Sequence, residues 1–218
     1  SFLSSPGSAL LEVIPAPATT PDVVDAVMDF SRAISRIPIR VRDVPGFALD
    51  RCFIPWMNEA AKMLDEGAAD AASIDAAARE AFQTGMGPFA LMNSIGIPEV
   101  HRACQALAAR LGEAYAPADG LRKQAEAATP WPLDDQAHVD ARAEIVERLM
   151  GVVFSNAGAL REEEVAEAED VNRGARAGLR WARGPLEMMN NMGLARTLEL
   201  AEKSAAGPLA IPPLLRRM

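Results

Sequence analysis

The stretch Asp43-Val44-Pro45-Gly46-Phe47-Ala48-Leu49-Asp50-Arg51 determines the interpretation of the fold, because the sequence pattern changes on either side of it. Before it, Leu10–Ile14 and Ile37–Val41 have the apolar content of short buried strands. Between them, Thr20-Pro21 is the N-cap and first-turn pair that starts helices. A strand, a helix and a strand in close succession form a βαβ unit, which usually belongs to a parallel sheet. Two strands make a poor sheet by themselves, so residues 1–42 are predicted to be the last portion of a larger α/β domain.

After this stretch the pattern is helical. An abundance of Ala and few aromatic residues favour helices. Helices are predicted over 46–66 with an end at Gly67, from a cap at Ser73 to about Phe82, from Pro88, from Pro98 to near Gly112, from Val139 to about Leu160, and near 163–178, 185–192 and 194–205. Residues 113–138 are predicted to be a connector that Trp131 anchors on a helical surface.

The second half of the chain repeats the first. Gly87-Pro88-Phe89-Ala90-Leu91-Met92-Asn93-Ser94-Ile95-Gly96 matches Gly184-Pro185-Leu186-Glu187-Met188-Met189-Asn190-Asn191-Met192-Gly193 at an offset of 97 residues. Upstream, Asn58-Glu59-Ala60 echoes Asn156-Ala157-Gly158. This indicates an internal duplication of a helical module. Two copies do not make a solenoid, so we expect them to pack face to face as a pseudo-dimer.

Composition argues against several classes of partner. The formal net charge is -8 and the basic residues are scattered, so no nucleic-acid partner is expected. No apolar run reaches the roughly 18 residues of a membrane span, so no membrane partner is expected either. His101 and His138 lack a second ligand at helical spacing, which argues against a metal site.

Cysteine usage and the start of the chain bear on its context. Cys52 and Cys104 have neither a CxxC nor a Cys/His spacing, so they are predicted to be buried thiols in a reducing compartment, the cytoplasm. No signal-peptide pattern follows Ser1. The natural start of the chain is expected to lie upstream.

Several motifs occur in a specific order. The Asp43–Arg51 stretch is followed by Asn58-Glu59-Ala60, Asp65-Glu66-Gly67, Ile74-Asp75 and Gly85-Met86-Gly87-Pro88-Phe89. This series resembles the 3-hydroxyacyl-CoA dehydrogenase family, in which a hinge of the type D-x-PGF-x-x-N-R joins a Rossmann domain to a helical C-terminal domain. The resemblance covers nearly the whole chain, less tightly in its second half, and the duplication resembles the long members of the family.

The fold class implied by the resemblance is mainly α. It consists of a remnant of the end of an α/β Rossmann domain, followed by two repeated helical domains of the 6-phosphogluconate-dehydrogenase C-terminal type. The expected domains are 1–42 for the remnant of the NAD-binding domain, 43–133 for the first helical domain and 139–218 for the second, diverged copy.

The resemblance extends into the first strand. When the family's active-site strand, H-F-F-N-P-x-P-x-M-x-L-V-E, is laid on this sequence, its second Phe falls on Phe2, its Asn on Leu3 and its Glu on Glu12. The His falls one position before Ser1. The resemblance implies that this His is the catalytic base and that Glu12 orients it, as a buried carboxylate can. A Glu inside an apolar strand needs a partner, but a strand-end carboxylate that faces solvent is the alternative.

Asp50 is the notable departure from the family, which usually has Asn there, close to the substrate carbonyl and the nicotinamide. Asn can donate a hydrogen bond to a developing oxyanion, whereas Asp can do so only when protonated. The alternative is that Asp50 pairs with Arg51 or caps a helix. Asn93 and Asn190 also depart, since the family commonly has Asp at both positions. The predicted catalytic residues are therefore Glu12 and Asp50, and Pro45, Gly46 and Phe47 are predicted to form the hinge of the substrate cleft.

The resemblance implies part of a 3-hydroxyacyl-CoA dehydrogenase that oxidises (S)-3-hydroxyacyl-CoA to 3-ketoacyl-CoA with NAD, in fatty-acid or aromatic-acid breakdown. No G-x-G-x-x-G motif for the dinucleotide phosphates is present. NAD is therefore expected to bind mainly to the missing N-terminal part, and the fragment alone is expected to be inactive. The expected partners are the acyl-CoA substrate and a second helical domain, in an intrachain pseudo-dimer or a homodimer.

Two alternatives remain from the sequence. One is a catalytically inactive helical module for dimerisation or structure. The other is an enzyme of the same superfamily that acts on a hydroxy acid without CoA.

Overall fold

The structure is a computed structural model that describes residues 2–3, 8–133 and 142–205, and it is mainly helical. The strands are β1 (Phe2–Leu3), β2 (Leu10–Val13) and β3 (Ile37–Arg40). The helices are α1 (Pro21–Ala33), α2 (Leu49–Asp65), α3 (Ala71–Phe82), α4 (Pro88–Ile95), α5 (Ile97–Leu111), α6 (Asp119–Ala127), α7 (Arg142–Glu162), α8 (Ala168–Leu179), α9 (Pro185–Met192) and α10 (Leu194–Ala205). A short 3-10 helix, Glu113–Tyr115, precedes α6.

The three strands form one small sheet in the order β1-β2-β3. The β2 and β3 strands are parallel and α1 connects them, so the predicted βαβ unit is confirmed. Strand β1 is antiparallel to β2, and its Leu3 lies opposite Glu12. The sheet also packs against α8. There Ile39 of β3 and Leu49, the first residue of α2, lie next to Gly174.

Three helix starts differ from the sequence prediction. The helix predicted near 163–178 begins at Ala168, because the chain turns after α7 at Glu164, which has a left-handed φ of 52°. Helix α2 begins at Leu49 and not at residue 46, because Gly46 and Phe47 have left-handed backbone angles, with φ of 75° and 47°. Helix α3 begins at Ala71, and its N-cap is Asp70, whose carboxylate accepts a hydrogen bond from the Ser73 amide at 2.8 Å. The prediction of Ser73 as the cap was wrong, because its amide is one of the donors that the cap satisfies.

The predicted connector is more ordered than its composition suggested. Residues 119–127 form α6, and Trp131 is buried edge-on against Phe89 with ring centroids 5.0 Å apart. The side chain of Asn93 accepts from the Trp131 amide at 2.8 Å and donates to the Trp131 carbonyl at 3.0 Å. The Asn amide offers both a donor and an acceptor, whereas an ionised Asp can only accept, which explains why Asn stands here in place of Asp. The rest of the connector, from 134 onwards, and His138 lie outside the described residues.

The duplication is present in the backbone at a constant offset of 97 residues. Gln83 and Arg180 both end a helix in the left-handed conformation, Gly96 and Gly193 both have positive φ, and so do Gly67 and Glu164. We call α2–α5 the first copy and α7–α10 the second copy. At this offset Asp65, the last residue of α2, is equivalent to Glu162, the last residue of α7. Asn58 and Asn156 are 98 residues apart, so that sequence match was one residue out of register.

Each copy caps its third helix in the same way. The Asp75 carboxylate accepts from the Phe89 amide at 2.7 Å and from the Ala90 amide at 3.0 Å. In the second copy, 97 residues on, Asn172 Oδ1 accepts from the amides of Leu186 and Glu187 at 3.0 and 3.3 Å. A side-chain oxygen at this place satisfies amides that have no partner inside the helix.

The two copies contact each other reciprocally. Arg51 of the first copy forms an ion pair with Glu163 of the second, and Arg148 of the second copy forms one with Glu66 of the first. The two arginines are 97 residues apart, and so are the two glutamates. Such an exchange of equivalent contacts is the signature of a two-fold interface, here within one chain.

An aromatic cluster lies where the copies meet. Trp181 of the second copy contacts the rings of Phe53, Trp56 and Phe82 of the first, with centroids 4.4 to 6.0 Å apart. The backbone amide of Ala182 donates to the Phe82 carbonyl at 3.4 Å. The two copies therefore share one hydrophobic core.

Across residues 8–133 and 142–205 no helix has the length and apolar character needed to cross a membrane. The same described part of the chain holds no cluster of His, Cys, Asp and Glu suited to a metal ion. Cys52 and Cys104 are buried free thiols.

Candidate active site

Glu12 is buried beneath the turn that begins the helical part of the chain. Its side chain comes from the middle of β2 and only 2% of the residue is exposed. One carboxylate oxygen, Oε1, accepts from the backbone amides of Ala48 at 3.0 Å and Leu49 at 3.1 Å. The alternative of a strand-end carboxylate facing solvent is therefore wrong.

Glu12 caps helix α2 across the fold. Ala48 is the N-cap residue of α2 and has no side chain that could accept a hydrogen bond. The first amides of a helix need acceptors and attract negative charge, and Glu12 supplies both from another element. This contact was not predicted from the sequence. The signal was present, since a helix that starts without Ser, Thr, Asp or Asn must find its acceptor elsewhere.

The predicted hinge is a tight turn. The Phe47 amide donates to the Val44 carbonyl at 3.0 Å, and Gly46 and Phe47 are both left-handed. A Cβ atom on Gly46 would lie 2.5 Å from a methyl carbon of Leu107 and 2.9 Å from Cγ of Arg51. Glycine is therefore required here for its backbone freedom and for space. The turn is pressed against α5 and Arg51, and it delivers the two amides that Glu12 binds.

The environment of Glu12 disfavours its charge. Burial raises its pKa from the ordinary value of 4.5 to about 7, although the hydrogen bonds from Ala48 and Leu49 act in the opposite direction. The nearby carboxylate of Asp50 adds to the rise. A carboxyl group with a pKa near neutrality can change its protonation state under ordinary conditions.

Asp50 is the second carboxyl group of the site. Burial raises its pKa from 3.8 to about 6. Within the described part of the chain it makes no hydrogen bond or ion pair, and Arg51 pairs with Glu163. Both alternatives for Asp50, a pair with Arg51 and a helix cap, are therefore wrong. Two interacting carboxyl groups with raised pKa values are typical of functional sites.

The arrangement leaves Glu12 able to bind one more donor. The two hydrogen bonds that it makes within the described residues both go to Oε1, and an ionised carboxylate can accept on both oxygens. Strand β1 is paired with β2 here, with Leu3 opposite Glu12. The predicted His precedes Ser1 and lies outside the sequence.

The described residues do not form a cradle for a dinucleotide. Such a cradle needs a glycine-rich turn between a strand and a helix, so that the phosphates can approach the backbone. The turn here, between β2 and α1, contains Pro15 and Pro17 and no glycine. This turn therefore does not fit the phosphates of NAD.

A separate groove lies at the carboxyl ends of β2 and β3. Its volume is about 800 Å³, and it is bounded by the loop from Pro15 to Thr19, by Arg40–Asp43 and by the loop between α7 and α8. Basic and acidic side chains both line it, while Glu12 and Asp50 do not. It is thus distinct from the two carboxyl groups.

Comparison with known proteins gives one family. The sequence profile described as the 3-hydroxyacyl-CoA dehydrogenase C-terminal domain matches residues 46–130 and 145–218. The human protein named hydroxyacyl-coenzyme A dehydrogenase, mitochondrial, is 34% identical over 96 residues, which are 44% of this chain and 31% of the human protein. A 3-hydroxybutyryl-CoA dehydrogenase of Clostridioides difficile is 35% identical over 99 residues, 45% of this chain and 35% of that protein. The matched part thus spans about a third of these relatives.

A solved structure shares the whole fold. The crystal structure of 3-hydroxybutyryl-CoA dehydrogenase from Escherichia coli superposes with a TM-score of 0.84 over 97% of this chain and 67% of that one. The two sequences are 17% identical, so this likeness concerns the fold alone.

Proposed function

Because the chain belongs to the 3-hydroxyacyl-CoA dehydrogenase family, we propose that it supplies the helical half of the substrate cleft of an enzyme that oxidises (S)-3-hydroxyacyl-CoA to 3-ketoacyl-CoA with NAD. The observation that carries this proposal is the buried carboxylate of Glu12, held by two amides at the hinge turn with one oxygen left to accept. Capping of α2 uses only Oε1, so the second oxygen of Glu12 and its pKa of about 7 favour an enzyme over an inactive structural module.

Glu12 is proposed to orient a catalytic imidazole. Oxidation of a secondary alcohol needs a base for the hydroxyl proton, and His serves near neutral pH. The second oxygen of Glu12 would accept the other ring N–H, which sets the tautomer and stabilises the imidazolium. The helix N-terminus of α2 would in turn fix the carboxylate, so the orientation of the base would depend on the hinge turn.

Asp50 is proposed to face the substrate carbonyl oxygen. It lies on the first turn of α2, next to Leu49, whose amide binds Glu12. With a pKa raised to about 6 by burial, a fraction of Asp50 carries a proton near neutral pH and can donate a hydrogen bond to that oxygen. Pro45, Gly46 and Phe47 would then form the wall of the cleft at the junction between the sheet and the helices.

The remaining assignments follow from the domain pattern. Residues 1–42 are proposed to be the end of the NAD-binding domain, 43–133 the first helical domain and 139–218 the second. The 97-residue backbone repeat and the two matched segments support this division. Since the turn after β2 does not fit the phosphates of NAD, NAD binding and the catalytic His are proposed to belong to residues that precede Ser1.

Three further proposals concern partners and location. Acyl-CoA is the proposed substrate, and the reciprocal contacts of the two copies support an intrachain pseudo-dimer over a homodimer. The buried free thiols Cys52 and Cys104 suit a reducing compartment such as the cytoplasm. The catabolism of fatty or aromatic acids is the proposed setting.

The test is the Glu12→Gln variant of the protein expressed with its complete natural sequence. We expect kcat for an (S)-3-hydroxyacyl-CoA to fall by about 10²-fold, while circular dichroism remains that of the wild type, because Gln keeps the shape and the acceptor for the amides of Ala48 and Leu49. In the wild type, kcat should fall as the pH rises through about 6, because Asp50 loses the proton that it donates. In Asp50→Asn this fall should be absent, since Asn donates at every pH.

Glu202→Gln, an exposed change on α10, is the matched control and should leave kcat unchanged. A Glu12→Gln variant with wild-type turnover would remove Glu12 from the mechanism. A wild-type protein that oxidises no 3-hydroxyacyl-CoA would refute the proposed activity itself.

A further inference from the structure

The loop after α7, in the second copy, holds the hinge turn at both of its ends. Before the turn, the Arg42 amide donates to the Val165 carbonyl at 2.8 Å and the Arg42 guanidinium donates to the Glu163 carbonyl. After the turn, Arg51 Nη2 donates to Glu163 Oε1 at 2.7 Å. The intervening residues 43–50 contain the whole hinge and Asp50. Because both ends of the hinge segment bind the same loop, its motion relative to the second copy is restricted.

Arg51 transmits this anchoring to the turn. It is a cation with only 2% of its surface exposed, and a buried cation depends on its counter-charge. Both terminal nitrogens of its guanidinium bind the carboxylate of Glu163, and this bond lowers the pKa of Glu163. The Arg51 stem lies directly beneath Gly46, whose missing Cβ would be 2.9 Å from Arg51 Cγ. The position of Arg51 therefore sets the position of the turn that delivers the amides to Glu12.

The equivalent ion pair, between Arg148 and Glu66, does not position a candidate active site. Arg148, equivalent to Arg51, is 23% exposed in its side chain and shares its charge between Glu66 and Glu59. Glu147, at the position equivalent to Asp50, is engaged in ion pairs with Arg196 and Lys203. The second copy thus keeps the ion pair that joins the copies, while the carboxyl group that would correspond to the candidate site is neutralised by cations.

We propose that the second helical copy is a brace for the active-site hinge of the first, and that Glu163 is its positioning residue, acting through Arg51 on the turn that holds Glu12. The role in positioning the hinge stands on the geometry alone. Its consequence for turnover rests on the proposed dehydrogenase function.

The first test measures hinge dynamics and needs no activity. Amide hydrogen exchange of Ala48 and Leu49 is compared between Glu163→Gln and Glu66→Gln, which remove the same carboxylate from the two symmetry-related ion pairs. We expect exchange at these two amides to become about tenfold faster in Glu163→Gln and to stay unchanged in Glu66→Gln. The urea midpoint of each variant reports how far the whole fold is weakened.

The second test measures catalysis in the complete protein. In Glu163→Gln, kcat should fall about tenfold while KM for NAD remains unchanged, because the base loses orientation and NAD binds elsewhere. Weaker bonds from Ala48 and Leu49 to Glu12 would raise the pKa of that carboxyl further. The acid limb of the pH–kcat profile should therefore move to higher pH in Glu163→Gln and not in Glu66→Gln.

Equal exchange at Ala48 and Leu49 in Glu163→Gln and Glu66→Gln would overturn the brace, whatever the activity. Faster exchange without dehydrogenase activity in the wild type would support the brace and refute the proposed function. If Glu163→Gln does not fold, Arg42→Ala removes an exposed anchor at the other end of the turn. Unchanged exchange in Arg42→Ala would then contradict the proposal.

Discussion

Replacing Glu12 by Gln should make the stability of the chain depend differently on pH. Below about pH 4.5 both folded and unfolded chains hold the proton of Glu12. As the pH rises, the unfolded chain releases it first, because burial raises the folded pKa to about 7. The rise from 4.5 to about 7 means that the wild type loses up to about 3 kcal/mol of stability between these pH values. Gln has no charge to bury, so the variant escapes this loss.

The assay is urea unfolding of the wild type and of Glu12→Gln at intervals from pH 4.5 to 8.5. Any difference in their free energies of unfolding at pH 4.5 reflects how well the Gln side chain fits the site. The stability of the variant relative to the wild type should then increase by about 2 to 3 kcal/mol towards pH 8.5. Glu202→Gln, the exposed control, should show no such increase. A difference between wild type and Glu12→Gln that is constant with pH would refute the reasoning that Glu12 is buried at an energetic cost.

Two further changes test local geometry. Asn93→Asp removes the donor to the Trp131 carbonyl and should lower the free energy of unfolding by about 1 to 3 kcal/mol in urea; no loss would show that the amide is not needed there. Glu164→Gly relieves a left-handed residue with φ of 52° and should raise the thermal midpoint, by about 1 kcal/mol or less in free energy. Gly67→Ala, at the equivalent place in the first copy, should lower the midpoint, and changes of the same sign in both would contradict the strain argument.

Local patterns predicted most of the elements because local chemistry determines them. The Thr20-Pro21 pair marks the start of α1, and Pro88 and Pro185 start helices 97 residues apart. Proline at a first helical turn fixes φ and needs no donor, so each of these starts has a local signal in the sequence. The mainly α fold and the βαβ unit followed from such signals.

Boundaries that depend on distant contacts were not predictable. The start of α2 is set by the left-handed turn at Gly46 and Phe47, which is stabilised by packing on Leu107 and by Glu12. The cap at Asp70 competed with Ser73, and both residue types favour that position. Helix α6 lay in a segment whose Ala, Pro and Asp content suggested a connector.

In the candidate site too, local features were predictable and distant contacts were not. The strand that carries Glu12 followed from its apolar residues, but the sequence left open whether the carboxylate is buried or faces solvent. Its bonds to Ala48 and Leu49 join residues 36 and 37 positions apart. The pairing of Arg51 with Glu163, 112 positions away, had no local signal. The 97-residue repeat could have indicated it, since the equivalent pair of Arg148 and Glu66 has the same residue types.

The most direct measurement is a crystal structure of the protein with its complete natural sequence, bound to NAD and an acyl-CoA. We predict an imidazole nitrogen at about 2.6 to 3.2 Å from the second carboxylate oxygen of Glu12, with Oε1 still bound to the amides of Ala48 and Leu49. A structure in which no imidazole approaches Glu12, or in which the substrate lies away from the turn at Gly46, would contradict it.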